Sequence, residues 1–428
     1  APGSIVAVKV RVDVLDNLAI GGSADGIPGG SITQRVPESA FRIKRAYGEV
    51  ITPIGYFGAG RMGHDWGLGM MGNSGDCADC DSGDAADRVA YVTAALDHLF
   101  VGAYDFSSTG HLIPLEGSRQ VDVEPAAGVR SMSFAILRWR DDAARRRRNR
   151  AGKLTPEYGV YVGHRWQNKD VPASYLPLDN PVEIDAAQVV DRGLRAWVVD
   201  GYFQLTHPWF RLGLEGAFVD ARIEQASTIP GMLLPQPVLS RQWGGVVETE
   251  LGAPGHWFTT GFDAGVASGD PAPGFGAQPA LQGLYQPEAG DINGPQVAPP
   301  GDWRVDNFRF HPDYRVDRIL FRELIGTVTD AMYVRPHVSA QLLDFGNARL
   351  KTDLAVIASW ALTQTSAPGE EHPLGVEFDP SLVYHRDDGF AAMIEYAALL
   401  PGKGLDNPDL GLKATPAQLV RLHLAYGF

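Results

Sequence analysis

From Val420 to Phe428 the chain places Val420, Leu422, Leu424, Tyr426 and Phe428 at every second position. Successive side chains of a strand point to opposite faces, so these residues share one face while Arg421, His423 and Ala425 share the other. One face then needs an apolar medium and the other a polar one. The opening segment repeats the pattern, with Val6, Val8, Val10, Val12 and Val14 alternating with Ala7, Lys9, Arg11 and Asp13. A soluble sheet with one wet face could do the same. The deciding property is how far along the chain the alternation extends.

It extends over nearly all of it. Trp197, Val199, Phe203 and Leu205 alternate with Asp200, Tyr202 and Gln204, and Phe210, Leu212, Leu214 and Phe218 with Arg211 and Glu215. Later, Leu350, Leu354, Val356, Trp360 and Leu362 oppose Lys351, Asp353 and Ser359. These stretches run about nine to thirteen residues, the length a tilted strand needs to cross a bilayer. The pattern predicts roughly sixteen strands (within 14–18), near 4–15, 38–47, 49–58, 87–96, 98–107, 129–140, 157–167, 191–205, 209–222, 239–251, 256–267, 330–341, 347–363, 374–386, 389–400 and 417–428. Turns are expected at Gly48, Leu96-Asp97, Thr206–Pro208, Ala253–Gly255, Asp344–Asn347 and Asp387-Asp388. Long connections, among them 59–86, 108–128 and 268–329, alternate with these short ones, as in barrels with long outer loops and short periplasmic turns.

The whole chain, 1–428, is read as one such domain, since large barrels escape length-based domain counting. No run of about 18 apolar residues offers a transmembrane helix. A mean hydropathy of −0.12 is what alternating strands average to. A net charge of −14 argues against nucleic-acid binding. The opening Ala1-Pro2-Gly3 fits an end left by signal cleavage, or a trimmed chain. Aromatics near strand ends, namely Tyr56, Phe57, Trp66, Trp166, Trp209, Trp257, Tyr384, Phe390, Tyr426 and Phe428, suit interfacial girdles.

If the faces are right, the polar set lines a lumen. Lys9, Arg11, Arg42, Lys44 and Arg421 would form a basic arc, made contiguous by the last strand pairing with the first. Glu215, Glu248, Glu250, Asp263, Asp353, Glu377, Asp379 and Glu395 would face it as an acidic arc, with Arg211 among them. Such opposed arcs orient polar or zwitterionic solutes. Alternatively, the charges merely solvate the interior and pair across strands.

A second constellation is the acidic loop carrying Asp76, Asp79, Asp81, Asp84 and Asp87. Clustered carboxylates with turn-permitting Gly75 and Gly83 are what Ca²⁺ wants, although the spacing is not that of an EF-hand. A plain solvated loop is the other reading. Cys77 and Cys80, the sole cysteines, are expected as a local disulfide in an oxidising compartment. The Arg145–Arg150 tract is either a grip on anionic lipid or a partner, or a solvated turn or short helix. Helical spacing over Val316–Ile325 predicts a short helix inside the longest loop. Loops 108–128 and 268–329 are the candidates to fold inward. No hydrolase, zinc-protease or phosphate-loop motif occurs, so no enzyme is indicated.

The alternation, the aromatic terminus and the loop asymmetry together resemble Gram-negative outer-membrane β-barrels of porin type. The stretches Arg45–Gly55 and Arg61–Gly69 also resemble an uncharacterised barrel family of myxobacteria and their relatives, which implies no activity. The porin resemblance implies a channel for small hydrophilic solutes, set among outer-membrane lipid and lipopolysaccharide, as monomer or trimer. A barrel hydrolase with its triad drawn from distant strands, or a docking barrel with a plugged lumen, are the alternatives.

Overall fold

The computed structural model describes residues 5–16, 39–77, 80, 83–108, 128–170, 187, 189–227, 231–252, 257–272, 274–275, 303–408 and 410–427. Sixteen strands follow one another: β1 Val6–Asp16, β2 Ser39–Thr52, β3 Gly55–Gly63, β4 Ala85–Ala95, β5 His98–Ser108, β6 Arg130–Arg138, β7 Thr155–Gln167 and β8 Leu194–His207. Then come β9 Phe210–Ile223, β10 Val238–Leu251, β11 Phe258–Ala267, β12 Ala331–Asp344, β13 Ala348–Ala361, β14 Pro373–Arg386, β15 Phe390–Pro401 and β16 Ala417–Tyr426. They form one antiparallel sheet in chain order, each strand bonded to its sequence neighbours. Among the described residues no ladder joins β16 back to β1, so the expected pairing of last strand with first is not seen.

The side-chain period of two fixes which residues face inward. Along β9, Glu215, Ala217 and Val219 are buried while Leu214 and Phe218 are exposed. β10 repeats this, with Gln242 and Val246 buried against exposed Trp243 and Val247. A face that leaves Val8, Phe134, Val199 and Leu422 uncovered in one chain requires an apolar surrounding.

One turn differs from the expected place. β2 runs straight through Gly48, and the chain reverses at Pro53-Ile54, where Thr52 pairs with Gly55. Proline has no N–H for the ladder and fixes φ, which ends the strand there. Gly48 has no neighbour within 4 Å of where a Cβ would stand, so nothing at that position demands a turn. The long connection accordingly starts after Gly63 and not at 59. Leu96-Asp97 is a turn as expected, both residues adopting positive φ (53° and 62°) as a two-residue hairpin requires.

Two connections turn back inside the curve of the sheet. Loop A, residues 64–84, joins β3 to β4, and loop B includes 303–330 ahead of β12. Their apolar side chains Met70, Phe308, Phe310, Leu320 and Phe321 are buried with Val219, Val246, Tyr333, Ile357 and Leu399 of the wall. Each such burial stabilises by about 1.5–3 kcal/mol. The ring of Phe308 lies on Gly244, where a Cβ would come within 2.5 Å of it. The segment expected to be helical is a single turn of π-helix, Leu320–Ile325, in which Leu324 N–H donates to Ile319 C=O. Inward folding of 268–329 is therefore seen over its described part. The fold of loop A was not anticipated. Loop 108–128, apart from its ends, and Phe428 lie outside the described residues.

Candidate functional site: the inner wall and its two loops

Loop A is held by carboxylates that β8 and β9 aim inward. Trp66 Nε1 donates to Asp200 Oδ1 at 2.8 Å. The Leu68 and Met71 amides donate to Glu215, the latter at 3.3 Å. Gly67 has φ +59° and lies against Glu215, so a side chain there would be both strained and blocked. Trp66 is thus an interior anchor and not the girdle residue its aromatic character suggested. Its indole needs a partner once buried, and Asp200 supplies it.

Loop B is held the same way by β10, β14 and β15. Glu377 accepts the amides of Arg318 (3.0 Å), Ile319 (2.8 Å) and Leu320 (3.0 Å). The Arg318 guanidinium reaches Glu395 at 2.8 Å, and Tyr314 OH donates to Glu248 at 2.9 Å. Within the loop, Asp317 accepts the Phe321 and Arg322 amides and so caps the π turn. Burial, followed by the charge of Glu377, raises the pKa of Asp317 well above the ordinary carboxylate range.

The loops also meet each other. His311 N–H donates to Met70 C=O at 2.7 Å, Gly83 N–H to Asp313 Oδ2 at 2.8 Å, and His311 Nε2 lies 3.4 Å from Asp84. Burial works against a charge on His311, but the hydrogen bond to Asp84 and the charges of Asp84 and Asp313 outweigh it and raise its pKa. His64, at the start of loop A, goes the other way. Burial and then the adjacent Arg88 push it down to about 4.

Much of the predicted charged set is paired. Lys9 bonds Glu49 at 2.9 Å and Lys44 bonds Asp13 at 2.7 Å. Arg11 and Arg45 both grip Asp76 of loop A. Arg421 reaches Glu323 of loop B at 2.6 Å and Glu395 at 4.0 Å. Arg211 lies 2.9 Å from Glu248 and 3.8 Å from Glu250. Asp353 takes a long 3.4 Å bond from Ser381, and Asp379 is buried with Oδ1 unpartnered among the described residues. The Arg42 side chain lies outside the description; its backbone opposes Asp13. The basic residues Lys9, Arg11, Lys44 and Arg421 are each drawn to a nearby carboxylate.

Of the acidic loop, Asp76 holds Arg11 and Arg45, Asp84 faces His311, and Asp87 pairs with Arg61 at 2.8 Å. Asp79 and Asp81 lie outside the described residues. Among the described residues no three His, Cys, Asp or Glu side chains gather as a metal site would require. Cys77 and Cys80 form a disulfide, Cα to Cα 5.2 Å.

Between the loops and the wall remains a polar cavity of about 240 Å³, lined by Leu68, Asn73, Glu248, Asp263, Asp313, Tyr314, Arg315, Val316, Tyr333 and Arg335. Arg335 bonds Asp263 at 2.6 Å across β11 and β12, and Arg315 lies 3.1 Å from Asp313. The sequence reading missed Arg335, Arg315 and Tyr314. Arg335 was readable from the alternation of β12, whereas the two loop residues carry no periodic signal. Glu157, fully buried at the other end of the wall, was missed because it opens its strand beside the arginine tract.

No protein-family model and no curated protein matches the sequence. Among solved structures the chain is similar to the OccAB1 protein of Acinetobacter baumannii, with 9% identity over 99% of this chain and 86% of that one and a TM-score of 0.49. It is similar to OccK9 (OpdG) of Pseudomonas aeruginosa, with 12% identity over 98% and 85% and a TM-score of 0.47. The outer-membrane channel DcaP of A. baumannii matches at 12% identity over 89% and 97%, with a TM-score of 0.34. The strands of this chain run antiparallel in one sheet in chain order.

Proposed function

We propose that this chain is a bacterial outer-membrane channel through which small hydrophilic solutes pass a lumen narrowed by loops A and B. The observation that carries this reading is the polar cavity between the loops and the wall, placed inside a sheet whose other face is apolar. Water and polar solutes are stable on the inner side only, and guanidinium and carboxylate groups offer both signs of charge to a passing solute. The short turns face the periplasm in this reading, and the long loops face lipopolysaccharide.

The test is conductance of the purified protein in a planar bilayer. Discrete, long-lived open steps are expected. The buried apolar contacts of Met70, Phe308 and Leu320 favour a second reading, a docking barrel whose lumen is closed. Silence in the bilayer, with the protein inserted, selects that reading. Silence accompanied by lipid or peptide hydrolysis selects a barrel enzyme.

A further inference from the structure

Half of the buried carboxylates on the strands hold a guanidinium. Asp105 holds that of Arg88 at 2.8 Å, and Glu157 that of Arg145, in the helix Asp142–Arg150, at 2.9 Å. Asp263 holds that of Arg335 at 2.6 Å and Glu395 that of Arg318 at 2.8 Å. The others are Asp200, Glu215, Glu377 and Asp379, and none of them has an ion-pair partner among the described residues. They stand as two pairs, one under each loop.

Strand register brings each pair together. Tyr202 is opposite Glu215 and Asp200 is opposite Ala217, so Asp200 lies diagonally from Glu215 on one face, within side-chain reach. Their carboxyls are in hydrogen-bonding contact. Glu377 and Asp379 are two apart on β14, share its buried face, and touch in the same way. The loop donors do not reach every oxygen. Asp200 Oδ1 has the Trp66 indole and both Glu215 and Glu377 have backbone amides, but Asp200 Oδ2 and Asp379 Oδ1 are buried with no donor. An enclosed carboxylate oxygen without a donor is costly. One proton held between the two carboxyls supplies the donor and removes one of two adjacent like charges.

The surroundings leave a second charge uncompensated. The first pair faces Trp66 of loop A, Tyr161 of β7, Tyr202 of β8 and Glu248 of β10, whose own partner is Arg211. The second faces Asp317 of loop B and, diagonally from Asp379, Asp353 of β13. Beside it, Glu395 of β15 is held by Arg318 and His423, and the guanidinium of Arg335 is engaged by Asp263.

We propose that each loop is latched to the wall by a carboxyl pair sharing one proton, Asp200 with Glu215 under loop A and Glu377 with Asp379 under loop B, and that loss of this proton to water releases the loop. A released loop leaves its pair hydrated and fully ionised, one proton short of the docked state. Docking therefore weakens as pH rises, by up to about tenfold per pH unit for each pair.

The test uses full-length protein in detergent and two readouts. Infrared difference spectra compare wild type with Asp200→Asn and with Asp379→Asn. A protonated-carboxyl C=O band is expected in wild type and reduced in each variant, because an Asn amide can donate to the neighbouring carboxylate in the proton's place. The second readout is a nitroxide on Glu323→Cys, an exposed position in the π turn of loop B; the native cysteines are closed in their disulfide and leave one site for the label. Between about pH 6 and about pH 10 its mobile fraction should grow in wild type and stay flat in Asp379→Asn.

Spectra without the band overturn the proposal, and so does a nitroxide that stays immobile throughout or responds alike in the variant. Should Asp379→Asn not assemble, wild type alone decides. A band that fades as the nitroxide is freed supports the latch, whereas motion with the band unchanged overturns it. Neither readout involves conductance, so the outcome is separate from that of the channel reading.

Discussion

The indole N–H of Trp66 and the carboxylate of Asp200 meet at 2.8 Å across 134 residues of sequence, and this bond fastens loop A to the wall. Asp200 is fully buried. Trp66→Phe keeps most of the ring but removes the donor from a buried acceptor, a loss of about 1–3 kcal/mol. Loop A should then be cut faster by a protease added from the long-loop side, with the strands still resistant. Unchanged cleavage would mean that the bond does not hold the loop.

Glu377 gathers three consecutive loop B amides, so it acts on backbone that no side-chain change in the loop can replace. Glu377→Ala leaves those amides buried without their acceptor, at about 1–3 kcal/mol each where water does not enter. Displacement of loop B should widen the lumen. Larger single-channel steps than wild type are expected, and identical steps would place the constriction elsewhere.

The two loop histidines give opposite pH dependences. The pKa of His64 falls to about 4 in the fold, so its contribution is complete above about 6.5 and is lost as pH falls toward 4. The pKa of His311 is raised, so its contribution is complete below about 6.5 and is lost as pH rises through the folded value. Loop A, held to the wall beside His64 and to loop B through His311, should be fastened most tightly near pH 6.5. Histidine-selective NMR of the detergent-solubilised protein checks this, with one ring expected to titrate near 4 and another above 6.5. A signal assigned to His64 or His311, by its loss in the His64→Gln or His311→Gln variant, that titrated at 6.5 would contradict the packing around that ring.

Strand faces were legible in the sequence because burial on one side imposes a strict period of two, which Val6–Val14 and Val420–Tyr426 carry without interruption. The turn after β2 was misplaced because Gly48 looks like punctuation, whereas Pro53 is what removes a ladder donor. Glu215, Asp263, Glu377 and Asp379 are buried, but what each of them holds was not legible. Glu215 and Glu377 bind loop amides, and amide direction leaves no mark in composition. Loop A was opaque for a related reason. Met70 and Trp66 are buried by contacts more than a hundred residues away, and the left-handed glycines Gly67, Gly69, Gly75 and Gly83 hint at compact turns without saying what they pack against.

The polar cavity makes the last prediction. Its lining has Glu248, Asp263 and Asp313 against Arg315 and Arg335, one carboxylate in excess. Arg335→Gln would leave Asp263 without its 2.6 Å guanidinium partner and make the passage more negative. Glu248→Gln would do the reverse, while its amide oxygen can still accept from Tyr314 and keep loop B in place. A unit charge about 4 Å from an ion in water is worth about 1 kcal/mol, or roughly fivefold in relative permeability. Reversal potentials in a potassium chloride gradient should therefore shift toward cation selectivity in the first variant and toward anion selectivity in the second. Equal reversal potentials in wild type and both variants would mean that ions pass the loops by another route, and that this cavity is a packing space beside it.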